Sequence, residues 1–390
     1  MHRFFFATKD AFINSGSNSI TGEDYLDKNT GQDEILELKK VFFNRDFHYP
    51  TRVLIQFDTD EIESFISSSD VYNKDSSYKL NLRLWETKGT SGLSETYKIA
   101  AYPLSQSWDE GVGKEADDPK TTDGVSWKYR QNKADASEIT WNTYSSSISE
   151  SITTTYTSSF IAGGGISKGS YIEADEVTQS FSAESPDINM DVTSIMKKWF
   201  TDTNNNYGFL LRFSGSRETS TGSYEDLKFF SRQTNTIYSP KIELKWDDHL
   251  PATGSNTGSL TALDLSGNSE NYLYPIHLRE AYKETEKVKF RFGARKRYID
   301  KSFTTSVQTV SGSYFAEGSA SYSIIDMATN ESMVPFSAYT TMSCDTVSPY
   351  FTQDLNGFEP NRAYKIMIKV NHNDGQKIIY DDDFEFILRV

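Results

Sequence analysis

In the segment TRVLIQFD (residues 51–58), the apolar residues Val53, Ile55 and Phe57 occupy every second position. An alternation with a period of two is typical of a β-strand, whose successive side chains point to opposite sides. The pattern predicts one dry face and one wet face: Val53, Ile55 and Phe57 against Arg52, Gln56 and Asp58.

The same alternation recurs from one end of the chain to the other. Ser, Thr, Tyr and Phe are abundant and aromatic residues make up 14% of the chain, a composition typical of pleated, half-buried strands. The sequence therefore predicts an all-β protein built from antiparallel sheets. The further strand-like segments are YKLNLRLWE (78–86), YGFLLRF (207–213), KIELKW (241–246), KVKFRFG (287–293), AYKIMIKV (363–370) and FEFILRV (384–390).

One segment, DVTSIMKKWFTD (191–202), has helical spacing instead. Val192, Ile195, Met196 and Trp199 follow the spacing i, i+3, i+4, i+7, and Asp191 stands at the N-cap position. We predict one short helix near residues 191–201.

A chain of 390 residues is long for a single core, so we expect two domains. Residues 249–260 combine Pro, Gly, Asn and Ser without periodicity, which is typical of a linker. They separate a predicted β-sandwich at 1–248 from a second at 261–390. The first includes a Ser/Thr/Gly-rich excursion near 145–170, and the second is immunoglobulin-like in architecture only, because paired cysteines are missing.

The net charge of −15, with basic and acidic residues interspersed, argues against nucleic-acid binding. The sequence has no apolar run of the length that spans a membrane and no signal-peptide pattern at its start. The single cysteine, Cys344, predicts a buried free thiol and a fold held together without disulfides.

No motif predicts catalysis, a metal or a cofactor. The five histidines are scattered singly, and the chain has no phosphate-binding glycine loop and no nucleophile elbow. Asp109 and Glu110 are adjacent, so in a strand they would point to opposite sides and make a poor acid–base pair. The acidic runs near Asp117 and Asp381 lack the spacing of a calcium loop. We predict that the protein is not an enzyme.

Five aromatic residues are candidates for binding a sugar or a neighbouring subunit, since exposed aromatic rings serve in both kinds of site. Two are predicted on outward strand positions and three in or near loops: Trp85 and Tyr102, then Trp108, Trp127 and Trp141. The alternative is that these rings anchor loops and sheet edges. Within QSWDEGVGKEADDPKTTDGVSW (106–127) we favour anchors, with the acidic residues as solvated loop positions.

The order of motifs across residues 4–247 resembles the DNRLRE-type domains, which are β-sandwich modules of bacterial surface proteins likened to carbohydrate-binding modules. The resemblance implies a jelly-roll-like sandwich and a possible glycan ligand, but it carries no individual binding residue over. The motifs are TKDAFINSGSNSITG, RVLIQFDTDEI, YKLNLRLWE, WDEGVG with GVSW, DVTSIMKKW, NYGFLLRF and FFSRQTNTIYSPKIELKW.

The C-terminal segments LNGFEPNRAYKIMIKV and NDGQKIIYDDDFEFILRV look like the closing strands of virion structural proteins from large tailed bacteriophages. That resemblance implies a subunit of the neck, collar or tail that is assembled in the host cytoplasm, contacts other virion proteins and forms a homo-oligomer. A carbohydrate-binding adhesin or receptor-recognition protein is the first alternative. A secreted polysaccharide-acting enzyme with a binding module is the second.

Overall fold

A computed structural model describes most of the chain in two compact units. The N-terminal unit comprises the described residues of Phe5–Ile66 and Lys79–Glu243, and the C-terminal unit those of Met1–Phe4, Ser67–Tyr78 and Leu244–Val390. The predicted excursion near 145–170 lies outside the described residues except for 169–170. The described residues are 1–16, 25–43, 47–68, 78–87, 97–133, 138–142, 169–181, 187–218, 225–253, 256–266, 270–298, 303, 305–307 and 312–390.

The N-terminal unit contains one large ten-stranded sheet. Its main path runs β8-β5-β10-β3-β1-β12-β4-β9, with β2 paired to β3 and to β11, while β6 and β7 form a separate pair. The strands are β1 (His2–Asn14), β2 (Ile35–Phe43), β3 (Phe47–Phe57), β4 (Lys79–Leu84), β5 (Lys98–Pro103), β6 (Tyr129–Gln131), β7 (Ile139–Thr140), β8 (Val177–Ser180), β9 (Ile188–Asp191), β10 (Phe209–Phe213), β11 (Glu225–Phe230) and β12 (Lys241–Lys245).

This sheet curls until its two end strands meet. The side-chain amide of Gln179 on β8 donates to the carbonyl of Asp187 at 2.9 Å and accepts from the N–H of Asn189 at 2.7 Å. β8 and β9 are not paired through their backbones, and the Gln179 side chain makes the two hydrogen bonds that a peptide group would make between paired strands. A closed seam leaves less unpaired strand edge than an open sheet.

The predicted wet face of β3 is wrong at Arg52, which is buried, while Gln56 is half-buried and Asp58, just after the strand, is exposed as predicted. On one side Val53, Ile55 and Phe57 are buried, as predicted. On the other side Arg52 and Leu54 are buried as well, beneath a layer that we call the cover segment (residues 105–133 and 138–142). Alternation in the sequence does not reveal a layer supplied by a distant loop.

Two short helices accompany the sheet. Helix α2 (Thr193–Phe200) confirms the predicted helix, but Val192 and not Asp191 occupies its N-cap position. The Asp191 carboxylate still accepts from the N–H of Thr193 at 3.0 Å. The predicted apolar positions are all buried. Helix α1 (Thr59–Ser67) was not predicted, because only Ile62 and Ile66 mark its buried side.

The C-terminal unit is a β-sandwich of two six-stranded sheets. One sheet has the order β13-β17-β16-β21-β20 with β14 paired to β16, and the other the order β15-β24-β22-β18-β19 with β23 paired to β22. The strands are β13 (Thr261–Ala262), β14 (Asn271–Ile276), β15 (Ala281–Lys283), β16 (Lys287–Lys296), β17 (Ser313–Tyr314), β18 (Ala320–Asp326), β19 (Ser332–Val334), β20 (Ser343–Cys344), β21 (Pro349–Asp354), β22 (Ala363–Asn371), β23 (Lys377–Tyr380) and β24 (Glu385–Arg389).

An aromatic core joins the two sheets. Phe351 of β21 stacks on Tyr322 of β18 with ring centroids 3.8 Å apart, and Phe290 of β16 packs against Phe386 of β24 at 5.3 Å. At the start of β22 the Tyr364 hydroxyl donates to the carbonyl of Glu359 at 2.9 Å. A tyrosine bonded to the backbone a few residues upstream is the tyrosine corner of immunoglobulin-like sandwiches. The predicted all-β, sandwich-like class is thus confirmed.

Residues 249–253 and 256–260, within the predicted linker, belong to the C-terminal unit. The ring of His249 bonds to Glu317 at 2.7 Å, and the N–H of Leu250 donates to the hydroxyl of Ser343 at 2.9 Å. Cys344 is buried with a free thiol, as predicted. Neither described helix has the length and apolarity needed to cross a membrane.

Candidate interaction surface

The structure gathers four of the five predicted binding residues into one buried cluster in the N-terminal unit. Tyr102, Trp108, Trp127 and Trp141 pack with the outer face of the central strands. The indole N–H of Trp108 donates to the carbonyl of Tyr207 at 2.8 Å, and that of Trp141 to the carbonyl of Ser126 at 3.0 Å. The Trp108 bond fastens the cover segment to the residues just before β10, and the Trp141 bond holds two parts of the cover segment together.

Trp85, the fifth residue, is not part of that cluster. Its ring centroid lies 5.9 Å from that of Tyr238, and the cationic groups of Arg83 and Lys241 lie over it at 5.4 and 5.6 Å. The outward positions predicted for Trp85 and Tyr102 are therefore wrong, since neighbouring side chains and the cover segment bury both rings. Sugar or subunit binding at the five residues stays a prediction.

Asn29 holds the glycine-rich part of the cover segment in place. It is completely buried, and its side-chain amide donates to the carbonyls of Glu110 and Val125, both at 2.8 Å, while its oxygen accepts from the N–H of Gly113 at 2.8 Å. A Cβ at Gly111, which has a φ of +83°, would lie 2.5 Å from the Asn29 amide. The glycines of this loop are there because backbone and Asn29 approach closely.

A buried ionic triad lies on the same face of the sheet. Arg52 binds both carboxylate oxygens of Glu218 at 2.7 and 3.0 Å, and Arg212 binds one of them at 2.6 Å. Burial favours the neutral acid, but the charges of the two guanidinium groups prevail and lower the pKa of Glu218 to about 2. The rings of Trp127 and Tyr171 lie 5.0 and 5.9 Å from the Arg52 guanidinium. The three charged side chains of the triad therefore bind one another within the protein.

Glu110 is not a solvated loop position as predicted, since its side chain is mostly buried. Arg232 binds its two carboxylate oxygens at 2.8 and 3.0 Å, and the N–H of Asp10 donates to one of them at 3.0 Å. Asp10 itself accepts from the N–H of Arg232 at 2.6 Å. Burial raises the pKa of Asp10 to about 7, and the neighbouring Glu110 carboxylate adds to the rise.

The exposed aromatic surface that the sequence analysis missed is on the C-terminal sandwich. Tyr272 and Tyr274 of β14 point outward, Tyr272 with 41% of its surface exposed, and their rings lie nearly parallel with centroids 5.7 Å apart. Tyr274 lies across Gly293 of β16, where a Cβ would come within 2.2 Å of the tyrosine Cζ. Gly293 thus makes room for the ring on the sheet.

Cationic side chains line the same surface. Arg295, opposite Tyr272, places its guanidinium 4.9 Å from the tyrosine centroid. One strand further, the Lys289 ammonium lies 3.6 Å from the centroid of Tyr350, and Arg291 lies 5.6 Å from it. We call this surface the tyrosine face: Tyr272, Tyr274, Lys289, Arg291, Arg295 and Tyr350.

Asp345 neutralises part of this charge. Arg291 donates to its two carboxylate oxygens at 2.9 and 2.7 Å, and Lys289 to one of them at 3.0 Å. The bidentate Arg291 contact is the main reason why the pKa of Asp345 is well below its usual range. Arg295, by contrast, has no carboxylate partner within the described residues.

The sequence contains a signal for the tyrosine face. In KVKFRFGARK (287–296) Val288, Phe290 and Phe292 form the dry face, and the other face carries Lys289, Arg291 and Arg295 with Gly293 between Arg291 and Arg295. A glycine on the outward side of a strand often marks close approach of a ring or another backbone. Tyr272 and Tyr274, two residues apart in NYLYPI (271–276), share that side.

Across the parts of the chain that the structure describes, no group of three or more His, Cys, Asp or Glu side chains is placed to hold a metal ion. No protein-family model matches the chain, and no curated protein matches its sequence significantly. The resemblance to DNRLRE-type domains and to phage virion proteins therefore stays a prediction from the sequence, while the all-β, sandwich-like architecture is what the structure establishes.

Proposed function

We propose that this chain is a structural component of a tailed bacteriophage virion, in the neck, collar or tail region, and that its β-sandwich units contact neighbouring subunits. The observation that carries the contact role is the tyrosine face, which puts three tyrosines and three cations on one sheet surface. Tyrosine and arginine are enriched among the residues that dominate protein–protein binding energy. The virion setting is supported by the resemblance of the C-terminal segments LNGFEPNRAYKIMIKV and NDGQKIIYDDDFEFILRV to closing strands of phage virion proteins.

The geometry of the rings favours a protein partner over a glycan. A sugar that stacks on an aromatic platform needs a bare ring face. On the tyrosine face, Arg295 lies over Tyr272 and Lys289 lies over Tyr350. The five aromatics first considered for sugar binding are all buried. The ring edges and hydroxyl groups of the tyrosines and the cationic side chains remain available for contact. These groups suit the polar groups of a protein surface.

The proposed role is non-enzymatic. The carboxyl with the strongly raised pKa, Asp10, is buried and bound to the backbone of Arg232. Its neighbour Glu110 is held by a bidentate arginine contact. A general acid or base has to reach a substrate proton. The Glu110 carboxylate instead fastens the cover segment to β1 and to the turn after β11, and the Asp10 carboxylate binds the backbone of that turn to β1.

Mass spectrometry and cryo-electron microscopy of purified particles of the encoding phage test the proposal. We expect the chain in the virion, with the tyrosine face against another subunit. Phage carrying Tyr272→Ala with Arg295→Ala should assemble fewer complete particles than phage carrying Lys377→Ala, a control on an exposed position of β23. Absence of the chain from the virion would overturn the proposal. Glycan binding that is lost with Tyr272→Ala would point to the adhesin alternative.

A further inference from the structure

The tyrosine face is a basic surface on an acidic chain. Lys289, Arg291 and Arg295 contribute three positive charges, and among the described residues Asp345 is the one carboxylate that forms ion pairs with them. The chain as a whole carries a formal net charge of −15, from 55 acidic and 40 basic residues. The local excess of positive charge therefore opposes the sign of the rest of the molecule, and it selects for an acidic partner.

Symmetric pairing of two tyrosine faces is disfavoured. In a twofold contact each patch meets its own copy. Arg295 of one copy would then approach the cations of the other, and Arg295 has no carboxylate of its own in the described residues to offset the repulsion. Like charges brought together at an interface weaken the contact strongly. A contact with a different, acidic surface avoids this.

We propose that copies of this chain associate head to tail, with the tyrosine face of one copy on an acidic surface of the next. This inference rests on the contact role proposed above and names the partner as a second copy. A surplus of 15 negative charges over the whole chain makes other surfaces of a neighbouring copy complementary to the face. Head-to-tail contacts generate closed rings or open helical arrays. Both are arrangements that a neck, collar or tail subunit can adopt.

Lys289 allows the contact to be trapped chemically. A carbodiimide joins an ammonium group directly to a carboxylate, so it reports only pairs that already touch. An equal mixture of ¹⁴N- and ¹⁵N-labelled full-length chains distinguishes links between copies from the link to Asp345 within one copy. We expect mixed-isotope peptides that join Lys289 to acidic residues. We also expect larger assemblies in sedimentation velocity at low salt that weaken at about 0.5 M salt, where charges are strongly screened.

Substitutions on the face should change the association without unfolding the chain. Arg295→Glu should weaken self-association about tenfold or more, since it replaces attraction by repulsion. Arg295→Gln removes only the charge and should weaken it less. Lys377→Glu is the control, because it makes the same charge change at an exposed position of β23, outside the tyrosine face. The control variant should self-associate more strongly than Arg295→Glu. Circular dichroism and thermal melting check that each variant is folded.

Two results would overturn the inference. One is a monomer at about 100 µM protein and low salt, with Lys289 linked only within its own copy. The other is self-association that Arg295→Glu leaves unchanged. The presence or absence of the chain in purified virions distinguishes failure of the head-to-tail inference from failure of the proposed function. A chain that is monomeric in solution but present in virions contradicts head-to-tail association alone, whereas an associating chain that is absent from virions contradicts the virion role alone.

Discussion

Gly293 and Tyr274 form a matched pair, because the ring occupies the volume that a Cβ at position 293 would need. In Gly293→Ala the ring, as the far end of a flexible side chain, has to move. Alanine in a strand regains roughly 0.5–1 kcal/mol relative to glycine, which offsets the displacement. We expect a change of less than about 1 kcal/mol in the free energy of unfolding, measured by urea titration, together with weaker self-association.

The double variant Gly293→Ala with Tyr274→Ala provides the comparison. Without the ring the alanine should be stabilising by roughly 0.5–1 kcal/mol relative to Tyr274→Ala alone. If Gly293→Ala had the same effect with and without the tyrosine, the two residues would be uncoupled. That result would contradict the role assigned to Gly293 in seating the ring.

Asp10 is expected to lower stability at neutral and alkaline pH. Its pKa is about 7 in the folded protein and near 3.8 when unfolded, so the folded state binds an extra proton between these values. Stability therefore falls as the pH rises through that window. Asp10→Asn should raise the free energy of unfolding by roughly 2–4 kcal/mol at pH 8. At pH 3.5 it should change little.

Urea unfolding of wild type and Asp10→Asn, followed by tryptophan fluorescence, measures this difference. The probe suits the unit that contains Asp10, because Trp108, Trp127 and Trp141 lie in the cover segment. An equal shift at both pH values would mean that titration of Asp10 is not the cause.

At the scale of elements, local patterns predicted strands and one helix but not the layer above them. Val192, Ile195 and Met196 lie within two helical turns of one another, so their spacing alone predicts α2. The cover segment lies on β3 and β10 through contacts between residues far apart in the chain. Burial of Arg52 depends on that layer and on Glu218, which no periodicity in residues 51–58 reveals.

The seam between β8 and β9 depends on one side chain, that of Gln179, which the strand periodicity does not reveal. Gln179→Ala removes the donor to the Asp187 carbonyl and the acceptor of the Asn189 N–H. Each such bond contributes about 1 kcal/mol, so we expect a loss of roughly 1–2 kcal/mol in the stability of the N-terminal unit. The Asn189 N–H should also exchange faster with solvent.

Thr178→Ala is the matched control, since Thr178 is an exposed neighbour of Gln179 on the same strand. It should leave exchange at Asn189 slow. Equal exchange in wild type and Gln179→Ala would show that the side-chain amide does not close the seam. Hydrogen-exchange mass spectrometry of the peptide that contains β9 measures both variants.

At the scale of the whole molecule, the all-β class could be predicted because strand periodicity recurs along the chain. The division into units is less visible in the sequence. The first four residues belong with Leu244–Val390 and not with the segment that follows them. Phe4 packs against Phe358 with centroids 5.9 Å apart, a contact that spans most of the sequence. Composition identifies a linker-like segment, but it does not show which core the chain terminus joins.

The pKa shifts of the carboxyl groups in the N-terminal unit predict how its stability depends on pH. Glu218, Asp191 and Glu37 have lowered pKa values, so the stability they contribute is present above their unfolded values near 4 and is lost as the pH falls further. Asp10 and Glu115 have raised values and act in the opposite sense as the pH rises above 4.

Stability of the N-terminal unit should therefore be greatest between about pH 4.5 and 6, below the neutral optimum common among proteins. Urea midpoints from tryptophan fluorescence at pH 2.5 to 9 measure the profile. Glu218→Gln leaves Arg52 and Arg212 buried without their counter-ion and should destabilise the unit by roughly 3–5 kcal/mol at pH 6. The variant should also flatten the acid limb, because the group that titrates there is gone. A maximum above pH 8 in the wild type would contradict the assignment of Asp10 as the group that weakens the fold at neutral pH.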